Sequence, residues 1–237
     1  MNKKPSNINM LLEARIFVEY ITSCIFSKYT TDLVGDGHPV IVYPGFTAGD
    51  ITTSHLRKFL TSLGYETHPW GLGINLGPSE GVLEACVERI KEVHRNTGQK
   101  ISLVGHSLGG IYARELAKMC PEETRQVITL GTPFYGDLTQ TDTLVAKLYE
   151  ILGNNPEDLI GQYNLSENPQ VPTTSIYSKT DGIVPWQTSV GEESNRAQNV
   201  EVYSSHVGMV FNVHAIHVVA DRLAEPQGAW RKYKPLV

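Results

Sequence analysis

The chain has 237 residues, 41% of them hydrophobic and 19% charged, with 20 Lys and Arg against 25 Asp and Glu for a net charge of −5. That apolar share is enough to bury a core, which excludes a disordered chain, and the length suits one α/β domain over 1–237. The acidic balance, with no basic run longer than Lys3–Lys4, excludes the clustered positive surface that nucleic-acid binding requires.

Residues 8–27 predict an amphipathic helix, with Ile8, Leu11, Leu12, Arg15, Ile16, Tyr20 and Cys24 at helical spacing. The stripe is expected to pack on the domain, with a membrane surface or a partner as the alternative. Lys3, Lys4 and the apolar residues after them imitate a leader, but Glu13, Arg15 and Glu19 interrupt the run. No stretch reaches the roughly 18 apolar residues of a transmembrane segment, which leaves peripheral membrane contact open.

From Pro39 onward, short apolar runs alternate with helical patterns. Pro39–Pro44 reads as a buried strand ending at Pro44-Gly45, and residues 50–63 as a helix with Leu56, Phe59, Leu60 and Leu63 on one face and Gly64 as its stop. Tyr65–Trp70 is a short strand. Ser79 to about Thr97 is a helix with Ser79 as N-cap and a stripe of Val82, Leu83, Cys86, Val87, Ile90 and Val93. Strand Ile101–Val104 leads through Gly105–Gly110 into a helix that ends near Met119, before Pro121. Further strands are expected at Gln126–Leu130, Thr173–Tyr177 and Val200–Tyr203, and a closing helix at Phe211–Leu223.

Strand–helix alternation with near-continuous apolar strands predicts a mostly parallel sheet with helices on both faces. Residues 134–172 stand out as an insertion, with an apolar patch of Leu144, Val145, Leu148, Ile151 and Leu152 before polar sequence. It reads as a small lid or as a packed surface excursion. Cys24, Cys86 and Cys120 are odd in number and fit no CxxC spacing. They predict free buried thiols in a reducing, cytoplasmic compartment. Gly71-Leu-Gly-Ile-Asn-Leu-Gly77 is spaced GxGxxxG, not GxGxxG, and predicts a flexible loop at the rim of a site without a cofactor.

Gly105-His106-Ser107-Leu108-Gly109 matches G-x-S-x-G between a predicted strand and a predicted helix. That context marks a nucleophile elbow, a sharp turn that lifts a serine Oγ out of the strand end above a helix N-terminus. A serine hydroxyl is a weak nucleophile near neutral pH and needs a base, itself oriented by an acid; in a fold with this type of elbow they follow in the chain order Ser, Asp/Glu, His. Asp181 is the expected acid, since it emerges from the loop after strand Thr173–Tyr177. Asp137, Asp142 and Asp158 are placed less well. His206, on the loop after the next strand, is the expected base. His106 lies inside the elbow and is expected to point elsewhere, and His214 and His217 belong to the closing helix without a third metal ligand. An oxyanion hole needs two backbone N–H donors. Leu108 supplies one, and the loop after the first strand supplies the other, at Phe46 or at Thr47.

With these segments in place, the chain resembles the α/β-hydrolase superfamily, in its small bacterial lipase/esterase-like group, over about residues 38–223. Leu130-Gly-Thr-Pro-Phe134 resembles the Gly-Thr-Pro turn of lipases. Pro44-Gly-Phe46, Trp70–Pro78, Asp181–Trp186 and Ser205-His-Val-Gly208 are similar to blocks of that group. Where many members carry His-Gly in the oxyanion loop, this chain has Pro44-Gly45. The resemblance implies the α/β-hydrolase fold, Ser107 as nucleophile, Asp181 as acid and His206 as base. It implies hydrolysis of a small-molecule or lipid-like acyl ester through an acyl-enzyme, with neither metal nor cofactor. The same triad would serve acyl transfer to an alcohol or thiol, and a binding protein on a hydrolase scaffold is the remote alternative. Phe46, Trp70, Trp186 and Val207 are the expected lining of the substrate pocket.

Overall fold

The structure, a computed structural model, describes residues 5–26, 33–136 and 164–234. Six strands form one sheet: β1 (Pro39–Tyr43), β2 (Glu66–Pro69), β3 (Ile101–His106), β4 (Thr124–Leu130), β5 (Thr173–Tyr177) and β6 (Ala197–Glu201). Their order is β2-β1-β3-β4-β5-β6, and every neighbouring pair is parallel. The described helices are α1 (Asn7–Leu12), α2 (Ile16–Phe26), α3 (Asp50–Ser62), α4 (Val82–Thr97), α5 (Leu108–Met119) and α6 (Val213–Ala224). Among the described residues, no helix is long and apolar enough to cross a membrane.

The strand patterns explain this architecture. Every residue of β1, β3 and β4 is buried, as expected for strands covered on both faces. Alternation along each strand splits the core in two. Ile41, Tyr43, Leu103 and Val127 pack with α4 and α5, whereas Val40, Val42, Val104 and Ile128 pack with α3 and α6. Strand order reverses between β1 and β3, the place where ligand crevices open beyond the carboxyl ends of such sheets.

Several boundaries differ from the pattern-based expectation, each for a physical reason. Helix α4 begins at Val82, not at Ser79, because Gly81 turns left-handed at φ 82° and occupies the cap without a side-chain bond. Strand β6 runs over Ala197–Glu201 instead of Val200–Tyr203. Its polar members are satisfied sideways: Gln198 Nε2 donates to Thr174 Oγ1 at 3.0 Å and Asn199 Oδ1 accepts from Gly191 N–H at 3.1 Å. Helix α6 starts after Asn212, whose side chain accepts from His214 and Ala215 N–H. Cys86 and Cys120 are buried free thiols, but Cys24 is exposed. Of the 134–172 insertion, residues 137–163, with the apolar patch, lie outside the described residues. The returning chain is pinned by buried Arg114, which donates to the Glu167 carbonyl at 3.0 Å and stacks 3.7 Å above the Phe134 ring.

The N-terminal segment departs most from expectation. It forms three pieces, α1, a 3-10 turn at Glu13–Arg15, and α2, and it docks through its polar face. Glu19 and Ser23 are buried, while Ile8, Leu11, Phe17, Val18 and Ile21 are exposed. Of the predicted stripe, Leu12, Arg15 and Ile16 are half-buried, and Ile8, Leu11, Tyr20 and Cys24 are exposed.

At the amino end of the sheet, exposed Asp36 and buried His38 and Ser102 form a relay. The Asp36 carboxylate accepts from His38 Nδ1, and His38 Nε2 meets Ser102 Oγ at 2.8 Å. Arg125 holds the outer carboxylate oxygen at 2.7 Å. Burial pushes the His38 pKa down despite Asp36, so the ring is neutral and Ser102 O–H donates to Nε2. This ties the entry of β1 to β3 and β4. Ser102→Ala strands the buried His38 Nε2 acceptor and is expected to lower unfolding free energy by about 1–3 kcal/mol. Urea denaturation checks this, and an unchanged midpoint refutes it.

Candidate active site

The elbow is built as the glycine spacing demands. Ser107 sits between β3 and α5 at φ 53°, ψ −124°, a left-handed conformation that costs a non-glycine residue of order 1–3 kcal/mol. The turn is held by Ser107 N–H to Leu130 O at 2.8 Å. A Cβ at Gly105 would overlap the Gly109 carbonyl, and a Cβ at Gly109 would overlap the Tyr43 carbonyl. Both positions are therefore closed to any side chain, and α5 starts directly beside the end of β1.

Asp181 emerges after β5 and is buried. Its Oδ1 accepts from Ile183 and Val184 N–H at 2.8 and 2.7 Å, the turn bonding expected of Asp before Gly. This leaves Oδ2 for His206 Nδ1, 2.7 Å away. The bond fixes the proton on Nδ1 and leaves Nε2 as the basic nitrogen. Burial favours the neutral ring, but the charge and hydrogen bond of Asp181, aided by Glu13, outweigh it and hold the His206 pKa above its ordinary 6.5. Ser107 and His206 line the same cavity.

His106 does not point away from this machinery. Its ring lies 5.0 Å from the His206 ring, and its Nε2 is 2.9 Å from the His206 carbonyl. Burial, with help from His206, drives its pKa down to about 3. Neutral His106 therefore donates Nε2–H to that carbonyl and steadies the backbone of His206.

The loop after β1 supplies the other half of the site. Thr47, also left-handed at φ 57°, donates its N–H to Asn75 O at 2.7 Å. That commits the Thr47 donor elsewhere and leaves Phe46 as the oxyanion-hole candidate on this loop. Leu108 opens α5, so its N–H is among the four with no intrahelical acceptor. The Gly71–Gly77 loop is a brace, not a free rim. Fully buried Asn75 donates Nδ2–H to Pro44 O at 2.8 Å and N–H to Ala48 O at 2.8 Å.

The cavity, about 470 Å³, falls in the size range of small-molecule sites. Phe46, Ile183, Val207, Val210, Phe211 and Ile16 make it predominantly apolar. Phe46 and Val207 stand where the pattern placed them. Trp70 and Trp186 do not line it. Trp70 is buried in the core and donates Nε1–H to Gly73 O at 2.9 Å, because it packs beneath α5 beside Tyr112. Trp186 stacks on Tyr177 at 5.7 Å, outside the lining. Sequence reasoning missed Ile16, Glu13, Glu19 and Asn75. Only Asn75 had a local signal, a polar residue framed by glycines. Among the described residues, no three His, Cys, Asp or Glu side chains cluster as metal ligands would.

Residues 73–224 match the PGAP1-like alpha/beta domain, almost two thirds of the chain. The chain belongs to that family. Aspergillus fumigatus lipase B is similar in structure, with a TM-score of 0.63 and 18% identity, covering 81% of this chain and 54% of that one. A Paleococcus ferrophilus monoacylglycerol lipase aligns with a TM-score of 0.55 and 16% identity, over 81% of this chain and 95% of its own. The fold is that of these α/β hydrolases. In sequence, triacylglycerol lipases of Pseudarthrobacter phenanthrenivorans and Burkholderia plantarii are each 33% identical over a stretch covering 32% of this chain. That stretch is 28% and 25% of those lipases, so the chain spans about a quarter of the curated relatives it matches.

Asn75→Ala removes the side-chain anchor of the Pro44–Thr47 loop. Loss of an oxyanion-hole donor typically costs about 10²–10³ in rate, and a displaced donor is expected to cost about tenfold or more. The rate of Ser107 labelling by a fluorophosphonate measures this, and an unchanged rate sinks it.

Proposed function

We propose that the chain is a serine hydrolase of carboxylic esters. The observation that carries this reading is the buried Asp181–His206 hydrogen bond of 2.7 Å, with His206 and Ser107 on its strained elbow lining one apolar cavity. His206 Nε2 takes the Ser107 proton as Oγ attacks the ester carbonyl carbon. The negative charge that develops on the carbonyl oxygen is received by the N–H groups of Phe46 and Leu108, each worth about 3–4 kcal/mol in the transition state. Collapse expels the alcohol, which takes its proton from the His206 imidazolium. Water, deprotonated in turn by His206, then releases the acid and restores Ser107. Asp181 holds the ring in its Nδ1–H tautomer and stabilises the imidazolium that forms.

The apolar lining suits the acyl chain of a lipid-like ester. The partial likeness to proteins named triacylglycerol lipase supports the same substrate class.

A p-nitrophenyl ester series of increasing acyl length tests the reading. Wild type is expected to hydrolyse at least the shorter esters, with Ser107→Ala losing about 10³-fold or more in kcat. Because the base must be neutral and Asp181 favours its charged form, kcat/KM is expected to rise with pH through an apparent pKa above 6.5. Equal fluorophosphonate labelling of wild type and Ser107→Ala would overturn the assignment.

A further inference from the structure

The N-terminal segment does more than cover the sheet. Glu13, in the 3-10 turn between α1 and α2, directs its carboxylate at the backbone of both loops that carry the acid–base pair. Its Oε1 accepts from Gly182 N–H at 2.9 Å and from His206 N–H at 2.8 Å, and its Oε2 accepts from Val207 N–H at 3.3 Å. One side chain therefore joins the residue after Asp181 to His206 itself. Neighbouring contacts repeat the pattern. Asn9 Nδ2 donates to Lys179 O at 3.1 Å, and Arg15 donates to Thr180 O at 3.0 Å. Glu19 accepts from Ser205 N–H at 3.0 Å and from the hydroxyls of Ser204 and Ser205.

The catalytic loops are shaped to receive this segment. A Cβ at Gly182 would overlap the Asn9 carbonyl, and a Cβ at Gly208 would overlap the Glu19 carboxylate. The glycines that follow Asp181 and His206 are thus the seats of α1 and α2.

We propose that Glu13 is a positioning residue for the acid–base pair, clamping the backbone of His206 to the loop of Asp181 so that the imidazole stays in register with Ser107. This rests on the hydrolase reading above. Glu13 does not touch the reacting atoms and acts through His206. Its charge also favours the protonated imidazole. The other charged or titratable groups around that ring are Asp181 after β5, neutral His106 on β3, and Glu19 on α2 with Arg15 3.9 Å from it. All of them remain when Glu13 alone is changed.

The test is steady-state kinetics of the full chain on p-nitrophenyl butyrate across pH, for wild type, Glu13→Ala and Glu13→Gln, with Tm for each. Displacement of a catalytic group by about 1 Å can cost about 10²-fold, so Glu13→Ala is expected to lower kcat by about 10- to 100-fold with KM within about twofold. Glu13→Gln keeps an oxygen acceptor but no charge. It is expected to hold kcat within about threefold of wild type, while the acidic limb of kcat/KM moves to lower pH. A merely structural role would lower Tm and leave the kcat of the folded variant in place. The proposal is overturned if Glu13→Gln reproduces the wild-type limb, or if folded Glu13→Ala keeps wild-type kcat. Should Glu13→Ala not fold, the Glu13→Gln profile decides alone. Ser107→Ala, run in parallel, separates the two readings: if it retains activity, the hydrolase assignment falls and the Glu13 proposal falls with it.

Discussion

The first turn of α5 lies against the carboxyl end of β1 so closely that a Cβ at Gly109 would enter the space of the Tyr43 carbonyl. That approach forces the left-handed conformation on Ser107 and sets the helix N-terminus beside the loop after β1. The rest of the site is arranged around this point. Because every strand is parallel, the loops after β1, β3, β5 and β6 all leave the same edge of the sheet. The reversal of strand order between β1 and β3 opens a crevice between the first two of them. The topology supplies convergence, and the absent side chains at Gly105 and Gly109 supply the close fit.

Two devices then hold the converging loops, and both spend hydrogen bonds on backbone. Asn75 satisfies the Pro44–Thr47 loop from one side, and the carboxylates of Glu13 and Glu19 satisfy the Asp181 and His206 loops from the other. This explains why the N-terminal segment docks with its polar face inward. Exposed loop N–H groups, left without acceptors beneath α1 and α2, would cost more than the apolar contacts that the opposite face could make.

The sharp turn at Ser107 and the loops that bring Asp181 to His206 were legible in the sequence because turn chemistry is local: Gly spacing, Asp-Gly after a strand, and His-Val-Gly after the next. Strands β1, β3 and β4 were legible because both their faces are buried. Strand β6 was placed too late, since Ala197-Gln198-Asn199 bonds laterally instead of being apolar. For α1 and α2, helical periodicity defines a stripe but not which side docks, and that choice was set by partners some 170 to 190 residues away in the chain. Trp70 and Trp186 were assigned to the pocket by their aromatic character, whereas core packing and stacking on Tyr177 claimed them.

A serine, a histidine and an aspartate in hydrogen-bonded series occur at the amino edge of this sheet as well as near its carboxyl edge. Ser102, His38 and Asp36 reproduce the donor and acceptor order of a catalytic relay, with a neutral ring between hydroxyl and carboxylate. Yet Ser102 lies within β3, wholly enclosed, where no carbonyl carbon reaches its oxygen. The relay at the amino edge is thus a natural control for the arrangement at the carboxyl edge. A proton-relay geometry by itself is only a means of joining strands. At the other edge of the same sheet a sharp turn instead carries the serine out of the strand and onto a cavity.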